Sequence, residues 1–244
     1  MTKIQGRFNW DKPEVCTSFV QGADALAIYH SLKGNMANGM SYDKETQTLT
    51  GSNVFAVARI DSILKPLGMR VANLRDLSRP EVMARVKDKH YTDTPALILR
   101  STDDSYERNL PMIAQLVKVI EQANEKLQLP VMVTGFDVKQ IRTRKGYGLA
   151  IVPRDDFQAV SDERLSGSYD GKKFSDVDEK GIPKFDSNGK RTWYARSNGL
   201  SRLCLYRDLG LNSGDSDLAN ADGDGRVVLV SAEGTAQNLE KKLK

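Results

Sequence analysis

The stretch Ala195–Ala232 reads ARSNGLSRLCLYRDLGLNSGDSDLANADGDGRVVLVSA, and it contains no Lys, Glu, Gln, Met or Trp, although Lys, Glu and Gln are common elsewhere in the chain. Leu203, Leu205, Leu209, Leu211 and Leu218 form a regular apolar frame within it. The spacings Leu203 to Leu205 and Leu209 to Leu211 are the period-two spacing of one strand face. Between them stand Cys204, Tyr206, Asp208 and Gly210, which share no chemistry. Two mixed runs come after: Asn212, Ser213, Gly214, Asp215, Ser216 and Asp217, then Asn220, Ala221, Asp222, Gly223 and Asp224. Inward leucines hold such a region in register, because a slip of one residue moves every side chain to the other face. Outward residues are then free to change, since surface substitutions cost only about 0.5 kcal/mol.

The missing residue types have a coding explanation. Asn codons of the AAY type, mutated at their adenines, become codons with any first two bases and a pyrimidine third. Such codons cannot specify Lys, Glu, Gln, Met or Trp. They can specify Asn, Asp, Gly, Ser, Tyr, Cys, Ala and Arg, the types interspersed here.

The frame that opens NGLSRL (198–203) and closes GRVVLVSAEG (225–234) resembles the variable region of diversity-generating retroelement variable proteins. The resemblance covers roughly the last third of the chain; residues 1–140 carry no family assignment. It implies a C-type lectin fold of the formylglycine-generating-enzyme type, which displays ligand-binding residues on a rigid β scaffold. By the same resemblance the displayed residues are Cys204, Tyr206, Asp208, Gly210, 212–217 and 220–224, and Ser201, Arg202, Gly225 and Arg226 are scaffold. Better-studied members end with a Gly-Phe-Arg type strand, where this chain has Gly225-Arg226-Val227-Val228. Tyr206 is the one aromatic in the displayed set.

Upstream, helix and strand signals alternate. Helices are expected over Ala23–Lys33, stopped by Gly34, and over Val54–Leu64, capped by Ser52 or Asn53. A third opens at Pro80 and runs to about Lys87, and a fourth runs from Pro111 to Leu127, stopped by Pro130. Strands are expected at Met69–Leu74, Ala96–Leu99, Val131–Val133, Leu149–Val152, Thr192–Ala195 and Val227–Val230. Glu179-Lys180-Gly181 and Ser187-Asn188-Gly189 are turn signals, the second a hairpin signal. The pattern is α+β. An N-terminal helix/strand support region covers 1–155, a C-type-lectin-like region covers 156–234 by the resemblance, and a charged tail covers 235–244. Whether the first two regions share one core is left open by the sequence.

Composition excludes little. The 36 basic and 32 acidic residues leave a net charge of +4, too mild to require a nucleic-acid or membrane partner. Two distant cysteines, Cys16 and Cys204, give neither a disulfide framework nor a zinc spacing. The first residues lack the apolar core of a signal peptide, so a cytoplasmic location is expected, with later display on a particle or surface still open. Asn220, Asp222, Asp224 and Gly225 match the opening of a calcium loop, but Ser231 stands where its bidentate Glu belongs. Asp176, Asp178 and Gly181 form a similar pattern, with Lys180 at a ligand position.

The first reading is therefore a non-catalytic binding protein without a cofactor, whose C-terminal face takes a macromolecular or cell-surface ligand. One alternative is an enzyme using His30, Asp103, Asp104 and Asp137 of the N-terminal region. The other is a nucleic-acid binder using Arg142, Arg144, Lys145 and the aromatic Tyr147, a stretch more simply read as a solvated loop between two strands.

Overall fold

Thr92–Leu99 is the strand on which the fold is assembled, and both of its faces are buried. Leu97 and Leu99 enter one apolar cluster, with Val131, Val133 and Leu200. Ala96 and Ile98 enter a second, with Met132, Leu203, Leu205 and Leu211. A strand covered on both sides reads as a continuous apolar run, which is why Ala96–Leu99 is visible in the sequence. The computed structural model describes residues 8–16, 19–123, 126–143, 145–167 and 170–233.

The strands are β1 (Glu14–Val15), β2 (Ser41–Asp43), β3 (Thr48–Thr50), β4 (Met69–Val71), β5 (Thr92–Leu99), β6 (Val131–Gln140) and β7 (Leu149–Ser161). They continue as β8 (Lys172–Val177), β9 (Pro183–Phe185), β10 (Arg191–Ala195), β11 (Leu200–Leu205), β12 (Leu211–Ser213) and β13 (Leu229–Ser231). Eight of them form one sheet in the order β7-β6-β5-β11-β12-β10-β8-β9. Its pairs are antiparallel except β10 with β12. A three-stranded sheet, β1-β13-β4, joins the two ends of the described chain, and β2 pairs with β3.

Among the described residues four α-helices accompany the sheets: α1 (Ala23–Ser31), α2 (Val54–Leu64), α3 (Pro80–Val86) and α4 (Leu110–Gln122). Asn53 caps α2, its Oδ1 accepting from the Ala56 amide at 2.9 Å. α2 is buried nearly all round and packs on β4, β5 and β6. Pro80 and Pro111 open α3 and α4 in their first turns. In α4, Met112, Ile113, Leu116 and Ile120 face the core at helical spacing. This helix ends at Gln122 instead of Leu127; Asn124 lies outside the described residues.

Four expectations are corrected. The boundary at 155 falls inside β7, and β11 sits beside β5, so the two expected regions share one sheet and both apolar clusters. The Asn188-Gly189 turn does not join a hairpin: β8 lies between β9 and β10, pairing with both. Leu209 is not on a strand with Leu211; it sits in a turn with φ 64°. The last strand begins at Leu229, after Val227 and Val228. The tail over 235–244 lies outside the described residues.

Candidate functional site

β11 and β12 are joined by a tight turn over Tyr206–Gly210. The Leu209 amide donates to Tyr206 O, and the Tyr206 amide donates to Gly210 O, both at 2.9 Å. This is a type I turn closed by a left-handed residue, a position that glycine usually fills. Here Leu209 takes it, half-buried against the second apolar cluster. The turn fixes the register Cys204 to Asn212 and Leu205 to Leu211. Leu203, Leu205 and Leu211 point into the second cluster. Cys204, Tyr206 and Asn212, at alternate positions, take the opposite face.

That face is organised by Arg202. Its Nη1 donates to both oxygens of Asp93 at 3.0 Å, and its Nη2 donates to Asp215 Oδ2 at 2.9 Å. The guanidinium lies 5.6 Å from the Tyr91 ring centroid, and Tyr91 stacks on Tyr206 with centroids 6.0 Å apart. Burial disfavours charge on Arg202, but Asp93 and Asp215 outweigh it and raise its pKa. Burial pushes the Asp93 carboxyl up, against the pull of Arg202. Tyr91 also ties down the chain: its hydroxyl donates to Ser52 O and accepts from the Asp222 amide, each at 3.0 Å. Gly225 lies so close to Ser52 that a Cβ there would stand 2.5 Å from the Ser52 nitrogen.

The segment 208–224 is stiffened by its own side chains. Asp208, Asn212, Asp215, Asp217 and Asp222 each accept, through a side-chain oxygen, from the amide two residues on. These are Asx turns, which shape a loop without any sheet. Long-range anchors complete it. Asn109 Nδ2 donates to Ser216 O at 3.0 Å, the Leu218 amide donates to Tyr147 Oη at 3.0 Å, and Asn38 Nδ2 donates to Ala219 O at 2.6 Å. Asn220 Nδ2 donates to Asp215 Oδ2 at 3.0 Å, which links the two mixed runs.

The displayed set is gathered but reduced. Tyr206, Asn212, Gly214, Asp215, Ser216, Asp217 and Ala221 are partly exposed, and Asp208, Asn220, Asp222, Gly223 and Asp224 are exposed. Cys204, Gly210 and Ser213 are buried and do not reach solvent. Cys204 takes the outward face, yet it has Arg202, Asp93 and Asp215 as charged neighbours, and burial drives its thiol pKa up. Ser213 faces inward, where its Oγ accepts from Arg100 at 3.0 Å. Gly210 is hemmed in, since a Cβ would stand 3.0 Å from Thr192 O, whereas one at Gly223 would meet nothing within 4 Å. Of the expected scaffold residues, Ser201, Arg202 and Gly225 are buried and Arg226 is partly so.

The other constellations do not assemble. Asp104 is held by Arg196 and Asn109, Asp137 by Arg59 and Ser62, and His30 is exposed at the end of α1. Tyr147 is buried beside Asn109 and cannot stack on a base; Arg144 lies outside the described residues. Among the described residues, no three His, Cys, Asp or Glu side chains are grouped to hold a metal ion. No helix there is long and apolar enough to cross a membrane.

Sequence reasoning missed Tyr91, Asp93 and Asn109 and gave Tyr147 a different role; all four are distant in the chain from what they support. It also missed Tyr194, which is 38% exposed and stands beside Asn212 across the parallel pair of β10 and β12. Tyr194 alternates with the buried Trp193 and Ala195, a period-two signal that could have placed it outward. Comparison with protein-family models, with curated proteins and with solved structures finds no match to this chain.

Proposed function

We propose that this chain is a non-catalytic binding protein whose recognition surface, within Tyr206–Asp224, is diversified by a retroelement and carried on a C-type-lectin-like scaffold. One observation carries the reading. Tyr206, Asn212, Asp215 and Asp222, far apart in type and spread over the segment, collect around Arg202 and Tyr91 on one solvent-facing side. Of the leucines between them, Leu209 and Leu211 pack into the second apolar cluster and Leu218 into the first. A surface of this kind needs a preformed backbone, so that little ordering cost opposes binding. The anchors from Asn38, Asn109, Tyr147 and Tyr91 supply that, because they bond main-chain atoms of the segment whatever its side chains are.

The chemistry of the surface narrows the partner. Asp208, Asp215, Asp217, Asp222 and Asp224 bring carboxylates to it, with Tyr206 and Tyr194 as aromatic contacts. In this reading the ligand is a macromolecular or cell-surface group that presents basic side chains or hydrogen-bond donors. Sequencing the gene from sibling clones tests the proposal. Changes confined to Tyr206, Asp208, Asn212, 214–217 and 220–224 are expected, at codons with a pyrimidine third base. Changes spread evenly along the chain would contradict it.

A further inference from the structure

A second concave site lies on the other side of β5. Thr94 and Ala96 alternate with Asp93, so they face away from the Arg202 network. They line a cleft of about 430 Å³ between β4, the β6–β7 pair and the Glu179-Lys180 turn. We propose that this cleft binds a small organic anion, a carboxylate or phosphate head on a compact apolar body.

Three observations point to that class. First, the lining divides by chemistry. Val71, Leu74, Pro95, Ala96, Met132 and Val160 offer apolar surface, and the Trp10 ring adds a flat wall with the Arg70 guanidinium 5.0 Å from its centroid. Polar and charged side chains, among them Asn73, Thr134, Arg154 and Gln158, make up the rest of the lining, and the volume lies within the range of small-molecule sites, about 300–1,000 Å³.

Second, the charged groups leave positive capacity. Asp61 and Asp156 neutralise Arg154 and Lys65, and Asp76 holds Arg70. Arg75 and Lys180, both exposed, also line the cleft and form no ion pair among the described residues. Glu179 is the one further carboxylate in the lining.

Third, Arg154 is incompletely used. Its Nε and Nη2 donate to Asp156 and Asp61, while Nη1 is buried with no hydrogen-bond partner. The two carboxylates hold the guanidinium rigidly in the cleft wall, where its fixed positive charge favours an anion. The backbone that places it is specialised. A bulge interrupts the β6–β7 register between Thr134 and Phe136, and a Cβ at Gly135 would stand 2.1 Å from Asp156 O. Bulges of this kind re-aim side chains next to functional sites.

The site is independent of the recognition surface, so the two proposals stand or fall separately. The test titrates the whole chain with phenyl phosphate and with phenylacetate, read by NMR shifts of the Trp10 indole and the Gly135 amide. Saturable shifts below about 10 mM are expected for at least one probe. The better probe identifies the head group. Replacing Arg75 and Lys180 together by Ala should weaken binding about tenfold with the unfolding midpoint unchanged, because both side chains are exposed. The proposal is overturned if neither probe saturates, if the double variant binds as wild type does, or if inorganic phosphate binds as tightly as phenyl phosphate.

Discussion

Asp104 shows how single residues hold the loops in place. Its carboxylate accepts from Arg196 at 2.8 Å, from Asn109 Nδ2 at 2.8 Å and from the Leu200 amide at 2.8 Å. The Asp104 and Arg196 side chains are 0% and 3% exposed. Removing one member of such a pair leaves a buried charge uncompensated, so Asp104→Ala should cost about 3–5 kcal/mol in urea unfolding. The pH dependence has a definite sign. Burial raises the Asp104 carboxyl, but donation from Asn109, the Leu200 and Tyr106 amides and Arg196 outweighs it and leaves the pKa below 3.8. A depressed carboxylate contributes stability above its unfolded-state pKa and loses it as pH falls through the folded value. Wild-type stability should therefore hold above about pH 5 and fall below about pH 4. Asp156, Asp162 and Asp178 are shifted the same way, so the part due to Asp104 is the difference between wild type and Asp104→Asn.

At the scale of elements, punctuation was easier to read than pairing. Helix starts at Val54, Pro80 and the Leu110-Pro111 step were legible because caps and prolines act locally. The Asn188-Gly189 turn was legible as a turn, but turn chemistry does not say which strands pair. In the fold the chain leaves β9, passes over β8 and pairs on its far side as β10. Gly189 makes that passage possible, because a Cβ there would stand 2.3 Å from the Phe174 carbonyl carbon and oxygen. Gly189→Ala should then destabilise by about 1–3 kcal/mol, as other overpacked sites do. Asn188→Ala, at an exposed position next to it, should change stability by no more than about 0.5 kcal/mol in the same unfolding assay. Equal effects would show that the crossing is not tight.

Over the full chain, the proposed recognition surface was half legible. The alternation of Leu203, Leu205 and Leu211 with Cys204, Tyr206 and Asn212 assigned the two faces, because a strand carries that information in its own sequence. Which outward residues stay in water was not written locally. Cys204 is enclosed by Arg202, Asp93 and Asp215, and Ser213 is met by Arg100 from β5's end. Such partners lie on strands that only the tertiary fold brings together. The expected boundary at 155 failed for the same reason, since β11 completes a sheet begun by β5 and β6.

In the proposed reading a buried frame sets the backbone, and exposed side chains between its members are exchangeable. A scan of folding stability tests it most directly. Substitutions at Tyr206, Asp208, Asn212, Ser216, Asp222 and Gly223 to residues encoded by pyrimidine-ending codons should each change stability by no more than about 1 kcal/mol. Leu203→Ala, Leu205→Ala and Leu211→Ala should each cost about 2–5 kcal/mol. If the exposed positions cost as much as these leucines, frame and display are not separate and the account is wrong.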